Sequence, residues 1–429
     1  MPSEEKNIDF KHERDSSNLL RGKNINLLIG SGFLADIIPT LIIKKDDDNK
    51  NTKKILESLE QKINKIVINK ANNKDGDSEY NLKLIKIAFY LYISNSYKNW
   101  KGKTENEKNE CEHEKDRREF INSLIKLLRT ENNFSPKEIN IFTTNYDLWF
   151  EDEFSRIERE YSYLQFNDGG YGISKKYFKI ENYDIKIYLK SDFDLFFNKV
   201  STINLYKMHG SLSWKKDNDL IEVKYDNSTS EQLKKFEKLL KKINSKLKSE
   251  YINKKLVISL INEIDENGLI SNSEQKIKNI VEIKKDIDKL NDWLQKQAIV
   301  FPSVEKFKDT TLTNEFYQII RKFSYEIQKE QSILIIFGFS MDDIHIKDII
   351  KKSLQNNSIT VYFFAYSESD YLKVNNEFSI YKNFIIHYFP DEDKINKSHF
   401  KCKVHSSHIR GSTLKCLINF FQQKYEEYF

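Results

Sequence analysis

A histidine followed by glycine, His209-Gly210, closes the apolar run Leu205–Met208. Imidazole titrates near neutral pH, so a histidine at the end of such a run can take up a proton as a general base. A buried, hydrogen-bonded histidine fits the same place. A second polar set, Thr143, Thr144, Asn145 and Asp147, follows the apolar run Ile139–Phe142. The Asn145 amide both donates and accepts, and so can hold a hydroxyl or orient a water. Thr143, Thr144 and Asp147 also suit the capping of a following helix. Two glycine turns complete the set. Gly30-Ser31-Gly32-Phe33 follows Ile25–Ile29, and Gly338-Phe339-Ser340, with Asp343 close behind, follows Ile333–Phe337. Glycine lets a backbone turn tightly and approach a phosphate at a helix start, although each turn also reads as a plain strand-to-helix connection.

Groups of this kind need a frame that brings distant strand ends together. The apolar runs Ile25–Ile29, Ile139–Phe142, Leu205–Met208, Ala298–Phe301, Ile333–Phe337, Thr360–Phe364 and Phe384–Tyr388 are continuous rather than alternating. Strands of that composition are covered on both faces. With helical stretches between them they predict an α/β, Rossmann-like, doubly wound parallel sheet, whose strand ends carry the ligand site. The spacing is uneven. It predicts a discontinuous sheet domain over 1–44, 136–215 and 296–429, with helical insertions at 45–135 and 216–295. Lys53–Ile68, Asn81–Ser94 and Asp116–Leu128 read as helices of the first insertion. In the second, Leu233, Phe236, Leu240, Ile243 and Leu247 share one helical face opposite lysines. The charged segment Lys101–Lys115 reads as a loop, and Phe166–Tyr188, with Gly169, Gly170 and Gly172, as a hairpin or flap.

Composition narrows the classes. At 429 residues the chain has length for about two to three domains. Lys+Arg 70 against Asp+Glu 65 leaves only +5, too little to demand nucleic acid, and direct nucleic-acid binding stays open. Lysine, asparagine and isoleucine are abundant throughout, as in an AT-rich coding sequence, so lysine runs carry little information. The cysteines Cys111, Cys402 and Cys416 are odd in number and widely separated, which suits a reducing cytoplasm. No apolar run is long enough for a membrane span, and a cytoplasmic, soluble protein is expected. His399, Cys402, His405 and His408 recur at steps of three, a spacing that matches no standard zinc site.

In order, four strand ends present GxG, TxNxD, HG and GxSxxD, using Gly30, Gly32, Gly210 and Gly338, four of only 12 glycines. This order resembles the sirtuin fold, and more specifically the sirtuin-like, NAD-consuming domains of bacterial anti-phage defence systems. The resemblance implies that Gly30, Ser31, Gly32, Phe33, Thr143, Thr144, Gly338, Phe339, Ser340 and Asp343 line the NAD site. It places Asn145 beside the nicotinamide ribose and its water, Asp147 on the carboxamide and His209 as the base. Asp36 and Pro39-Thr40 fall where such domains carry a loop over the nicotinamide. Tyr366 and Ser367 are candidates for the adenine side by position alone.

The sequence departs from the sirtuin pattern twice. Leu34 stands where the GAGxS turn has its serine. The two CxxC pairs that hold the zinc module of deacetylating sirtuins are missing, so no zinc and no acyl-lysine groove are expected. The resemblance therefore implies an NAD+ glycohydrolase, with NAD+ as substrate and no other cofactor. It further implies a homo-oligomer restrained in trans by a partner such as a HerA-type ring ATPase. The alternatives are a sirtuin-type ADP-ribosyltransferase or deacylase, and a non-enzymatic subunit that senses NAD or ADP-ribose.

Overall fold

Apolar runs with few polar interruptions must be covered on both sides, and here they build the centre of the molecule. The computed structural model describes residues 20–38, 42–44, 56–58, 76–109, 112–130, 136–161, 163–189, 198–225, 234, 288–301, 314–388 and 414–422. Twelve strands form its two larger sheets: β1 (Asn24–Ile29), β2 (Glu138–Thr143), β3 (Leu164–Asn167), β4 (Gly170–Tyr171), β5 (Lys176–Phe178), β6 (Ser201–Lys207), β7 (Gly210–Asp217), β8 (Leu220–Val223), β9 (Gln297–Ile299), β10 (Ser332–Phe337), β11 (Thr360–Phe364) and β12 (Phe384–His387).

The central sheet has seven strands in the order β12-β11-β10-β1-β2-β6-β3, and every neighbouring pair is parallel. From β1 the chain lays β2, β6 and β3 to one side, then returns to lay β10, β11 and β12 on the other. The order therefore reverses between β1 and β10. In open parallel sheets that reversal leaves a crevice at the carboxyl ends of the strands, where ligands bind.

Side chains alternate between two cores. Leu27, Ile29, Ile141, Leu205 and Ile335 face one, and Leu28, Phe142, Tyr206, Leu334 and Ile336 the other. The first core is filled by Tyr97 of α1 (Gly76–Lys101), Phe120 of α2 (Glu112–Thr130) and Phe150 of α3 (Trp149–Ile157). Phe323 of α4 (Asn314–Ile327), Ile346 of α5 (Ile344–Ser353) and Phe378 of α6 (Glu368–Phe378) fill the second. Phe421 of α7 (Leu414–Gln422) returns to the first core, edge-on to Phe120. An antiparallel sheet, β9-β7-β8-β5-β4, joins the second face through Phe178, Trp214 and Ile221.

One polar row crosses this apolar interior. Asn26, Asn140 and Asn204 are in register on β1, β2 and β6. Asn204 Nδ2 donates to Asn140 Oδ1 at 2.9 Å, Asn140 Nδ2 to Asn26 Oδ1 at 3.0 Å, and Asn26 Nδ2 to Ser332 Oγ at 2.9 Å. A buried amide is stable only when its partners are in place, so the ladder fixes strand register.

Several expectations need correction. The run Ala298–Phe301 contributes β9 of the antiparallel sheet, not a central strand. The seventh central strand is β3, an edge strand paired on one side only, whose residues need not be uniformly apolar. The hairpin expected within Phe166–Tyr188 is β4–β5, and it is part of the antiparallel sheet. Within Lys53–Ile68, Leu56–Ser58 is a strand paired with Ile42–Lys44 rather than helix. The segment Lys101–Lys115 contains the short helix Glu105–Asn109 and the start of α2. Some of its charges are matched: Thr104 and Glu107 form a reciprocal cap, and Glu105 pairs with Lys108 and Arg118. The amphipathic face at Leu233–Leu247, Pro39-Thr40, Cys111 and the His399–His408 cluster lie outside the described residues. Among the described residues no helix is long and apolar enough to cross a membrane.

Candidate functional site

At the reversal between β1 and β10 the two glycine turns lie against each other. Gly30 N donates to Phe337 O at 3.0 Å and Gly32 N to Gly338 O at 2.9 Å. A Cβ on Gly30 would stand 2.3 Å from Gly338 O, and one on Gly338 2.6 Å from Phe33 N. Gly338 also has φ +65°, the left-handed region. Each glycine is thus demanded by the backbone of the opposite turn, and together they make a continuous floor. Ser31 and Ser340 are exposed on it. Phe33 and Phe339, which the sequence also pointed to, bury their rings. Phe33 stacks on Phe150 at 5.2 Å and meets Trp149 edge-on, and Phe339 lies in the opposite core.

The end of β2 is tied to the end of β1. Thr143 Oγ1 donates to Ile29 O at 3.0 Å and accepts from Asn145 N at 3.1 Å, while Thr144 N donates to Ile29 O at 3.2 Å. Asn145 Nδ2 donates to Gly30 O at 3.2 Å. The amide is thereby oriented, and its Oδ1 has no donor among the described residues. Asp147, only 1% exposed, accepts from Trp149 N at 2.9 Å and so leads the chain into α3. That contact is the backbone support the sequence allowed for Asp147, and it uses Oδ1 alone.

His209 occupies the corner where the chain leaves β6 for β7. Met208 N donates to Thr143 O at 2.8 Å, so this corner abuts the β2 end, and His209 O accepts from Val300 N at 2.8 Å. Tyr146 lies beside it, ring centroids 6.3 Å apart, with its hydroxyl on Val300 O at 2.7 Å. Phe89 of α1 meets the Tyr146 ring edge-on. Asp343 Oδ2 lies 3.4 Å from His209 Nε2, and both side chains are nine-tenths buried. The histidine thus has a carboxylate beside it, the arrangement that orients an imidazole and balances its charge. The sequence pointed to Asp343 without placing it against His209.

Asp36 is engaged elsewhere. Arg117 of α2 grips it with two hydrogen bonds, at 2.7 and 3.0 Å. Burial works to raise the Asp36 pKa, but the Arg117 hydrogen bonds and charge outweigh it and hold the carboxyl below its ordinary value. Arg117 itself is enclosed by Glu114 and the Trp100 and Trp149 rings. Tyr366 is exposed, and Ser367 caps α6 by accepting from Asp370 N at 3.2 Å.

Two participants were not visible in the sequence. Lys207, 1% exposed at the end of β6, donates from Nζ to Asp147 O. Its ammonium also lies 3.2 Å from Glu151 Oε2, an ion pair without hydrogen-bond geometry. Burial pushes the Glu151 pKa up to about 7 against the pull of Lys207. A lysine inside an apolar strand is the only sequence signal for this pair, and it is lost among the chain's many lysines.

None of the curated proteins compared with the chain matches it. The stretch from β2 through the His209 corner fares differently: residues 139–258 match the family model of the SIR2-like domain, which supports a sirtuin-like, NAD-related role for this chain.

Proposed function

We propose that this chain is an NAD+ glycohydrolase that cleaves the bond between nicotinamide and ribose, releasing nicotinamide and ADP-ribose. The observation that carries this reading is the meeting of four strand ends, those of β1, β2, β6 and β10: an Asn145 amide fixed on Gly30 O belongs to the loop after β2, whose end abuts the corner that holds His209 and its carboxylate, Asp343. As nicotinamide departs, positive charge develops on the ribose, and the attacking water must be aligned and lose a proton. Asn145 Oδ1 is oriented to accept from that water or from a ribose hydroxyl. His209 is the base that receives the proton. Asp147, fixed by Trp149 N and Lys207, steadies the loop that presents Asn145. Ser31 and Ser340, exposed on the joined glycine turns, offer hydroxyls that can bond a phosphate.

The reading extends to biology through the resemblance of the motif order. An enzyme that depletes NAD+ is toxic to its cell, which suits anti-phage defence and requires restraint. We therefore also propose that the chain acts as a homo-oligomer under a regulator in trans, a HerA-type ATPase being the favoured partner.

The test is NAD+ loss with product identification, for wild type, Asn145→Ala and His209→Ala. Free ADP-ribose formed by wild type and by neither variant supports the hydrolase. ADP-ribose appearing on protein or nucleic acid instead makes the chain a transferase. Saturable binding without turnover, with the ATPase present, makes it a sensing subunit.

A further inference from the structure

Asp343 has two carboxylate oxygens with different partners. Oδ1 accepts from His345 N at 3.1 Å and Ile346 N at 3.2 Å, which caps α5. Oδ2 lies 3.4 Å from His209 Nε2. We propose that Asp343 is the positioning residue of His209, joining the imidazole to the amino end of α5 and supplying the negative charge that its protonated form requires. This rests on the reading of His209 as the base.

Three features carry the inference. First, helix capping does not require a carboxylate, since serine, threonine and asparagine cap as well. An aspartate adds charge, and here that charge lies against an imidazole that is itself 9% exposed. Burial alone would disfavour imidazolium, and a neighbouring carboxylate opposes that. Second, the loop before Asp343 is held rigidly. Met341 is buried with φ +59°, a conformation that a residue with a side chain keeps only where its surroundings enforce it. Lys373 of α6 donates to Ser340 O and to Asp342 Oδ1, while Ile346 and Ile350 anchor α5 in the core. Third, other charges nearby are occupied with each other. Lys373 is paired with Asp342, and Lys207 with Glu151 and Asp147 O. Asp343 Oδ2, 3.4 Å from Nε2, and the Tyr146 ring, at 6.3 Å between centroids, are titratable groups that lie beside the imidazole. At 3.4 Å the contact is longer than a direct hydrogen bond, a length common before substrate tightens a site.

Asp343→Asn separates the two duties of the residue, because the amide retains the cap and loses the charge. The experiment follows the histidine ring signals of the full chain by NMR as pH is varied, His209 being identified by its absence in His209→Ala. In Asp343→Asn the His209 midpoint should fall by about 1 unit or more, while the unfolding midpoint stays where it was. NAD+ cleavage should lose roughly 10- to 100-fold in kcat with KM within about threefold, and the acid limb of the pH profile should move down. A His209 midpoint unmoved in folded Asp343→Asn overturns the proposal. If that variant does not fold, Asp343→Ser, a second cap without charge, is read by the same criterion. A wild type that cleaves no NAD+ even with the ATPase present overturns the glycohydrolase reading, and the titration still decides whether Asp343 governs His209.

Discussion

Two rows of polar side chains run across the same parallel sheet. The first, Ser332–Asn26–Asn140–Asn204, lies within the strands, and each amide nitrogen donates to the next member. Its leftover acceptor, Asn204 Oδ1, is sealed from solvent. The second row lies at the carboxyl ends. There Asn145 is anchored by its nitrogen alone, and His209 meets a carboxylate at ion-pair distance. Asparagine serves in both rows, so residue type does not separate the two uses. Where the hydrogen bonds go does separate them: a row whose amide nitrogens bond its own members and whose spare acceptor is sealed from solvent holds register, and a row with an oriented acceptor left at the carboxyl ends of the strands suits a ligand.

The strongest way to break this comparison is to truncate one member of the end row. Asn145→Ala and His209→Ala should each lower NAD+ cleavage by roughly 10²- to 10⁴-fold. Urea unfolding should shift by no more than about 1 kcal/mol. Comparable losses of stability in these variants would make the end row structural, like the ladder.

Next in size is the floor beneath that row. Gly30→Ala places a methyl 2.3 Å from a carbonyl oxygen that has no rotamer to escape into. The expected loss is about 3 kcal/mol in urea unfolding, with cleavage reduced as the turns separate. An alanine tolerated there would mean that the two turns are not held together as the hydrogen bonds indicate.

The ladder should behave in the opposite way. Asn140→Val leaves Asn26 Oδ1 without the Asn140 donor and Asn204 Nδ2 without its acceptor. It should destabilise by about 2–3 kcal/mol. Cleavage measured below the unfolding range should stay within about twofold of wild type. A large catalytic effect would show that the two rows are coupled through β2.

How much of this was legible in the sequence follows from which contacts are local. Buried parallel strands are continuous apolar runs, and β1, β2, β10, β11 and β12 stand out for that reason. The run at Ala298–Phe301 has the same signature, yet β9 pairs with β7, because strand composition reports burial and not partner. Asn145 and His209 could be found because each directly follows an apolar run. The glycines could be recognised as turns, but not that Gly30 and Gly338 require each other. The Asp343–His209 contact joins residues far apart in the chain, and periodicity carries no trace of it. Arg117 is one charge among many in the sequence, and only packing reveals that it is buried against Asp36.

Glu151 and Lys207 stand between the two rows, buried like the ladder yet paired by charge. The Glu151 pKa rises from an ordinary 4.5 to about 7, chiefly through burial. Between those values the folded state binds a proton that the unfolded state has released. Stability therefore falls as pH rises through this window and levels off above about 7. Glu151→Gln removes the titration while leaving an oxygen for the Lys207 ammonium. Urea unfolding of both proteins at pH 5, 6, 7 and 8 should show wild type losing about 2 kcal/mol relative to the variant between pH 5 and 7, and little more by pH 8. Parallel curves would mean that Lys207 keeps the carboxylate ionised throughout. The pair would then belong with the ladder, as a closed support that holds Asp147 and, through it, the loop presenting Asn145.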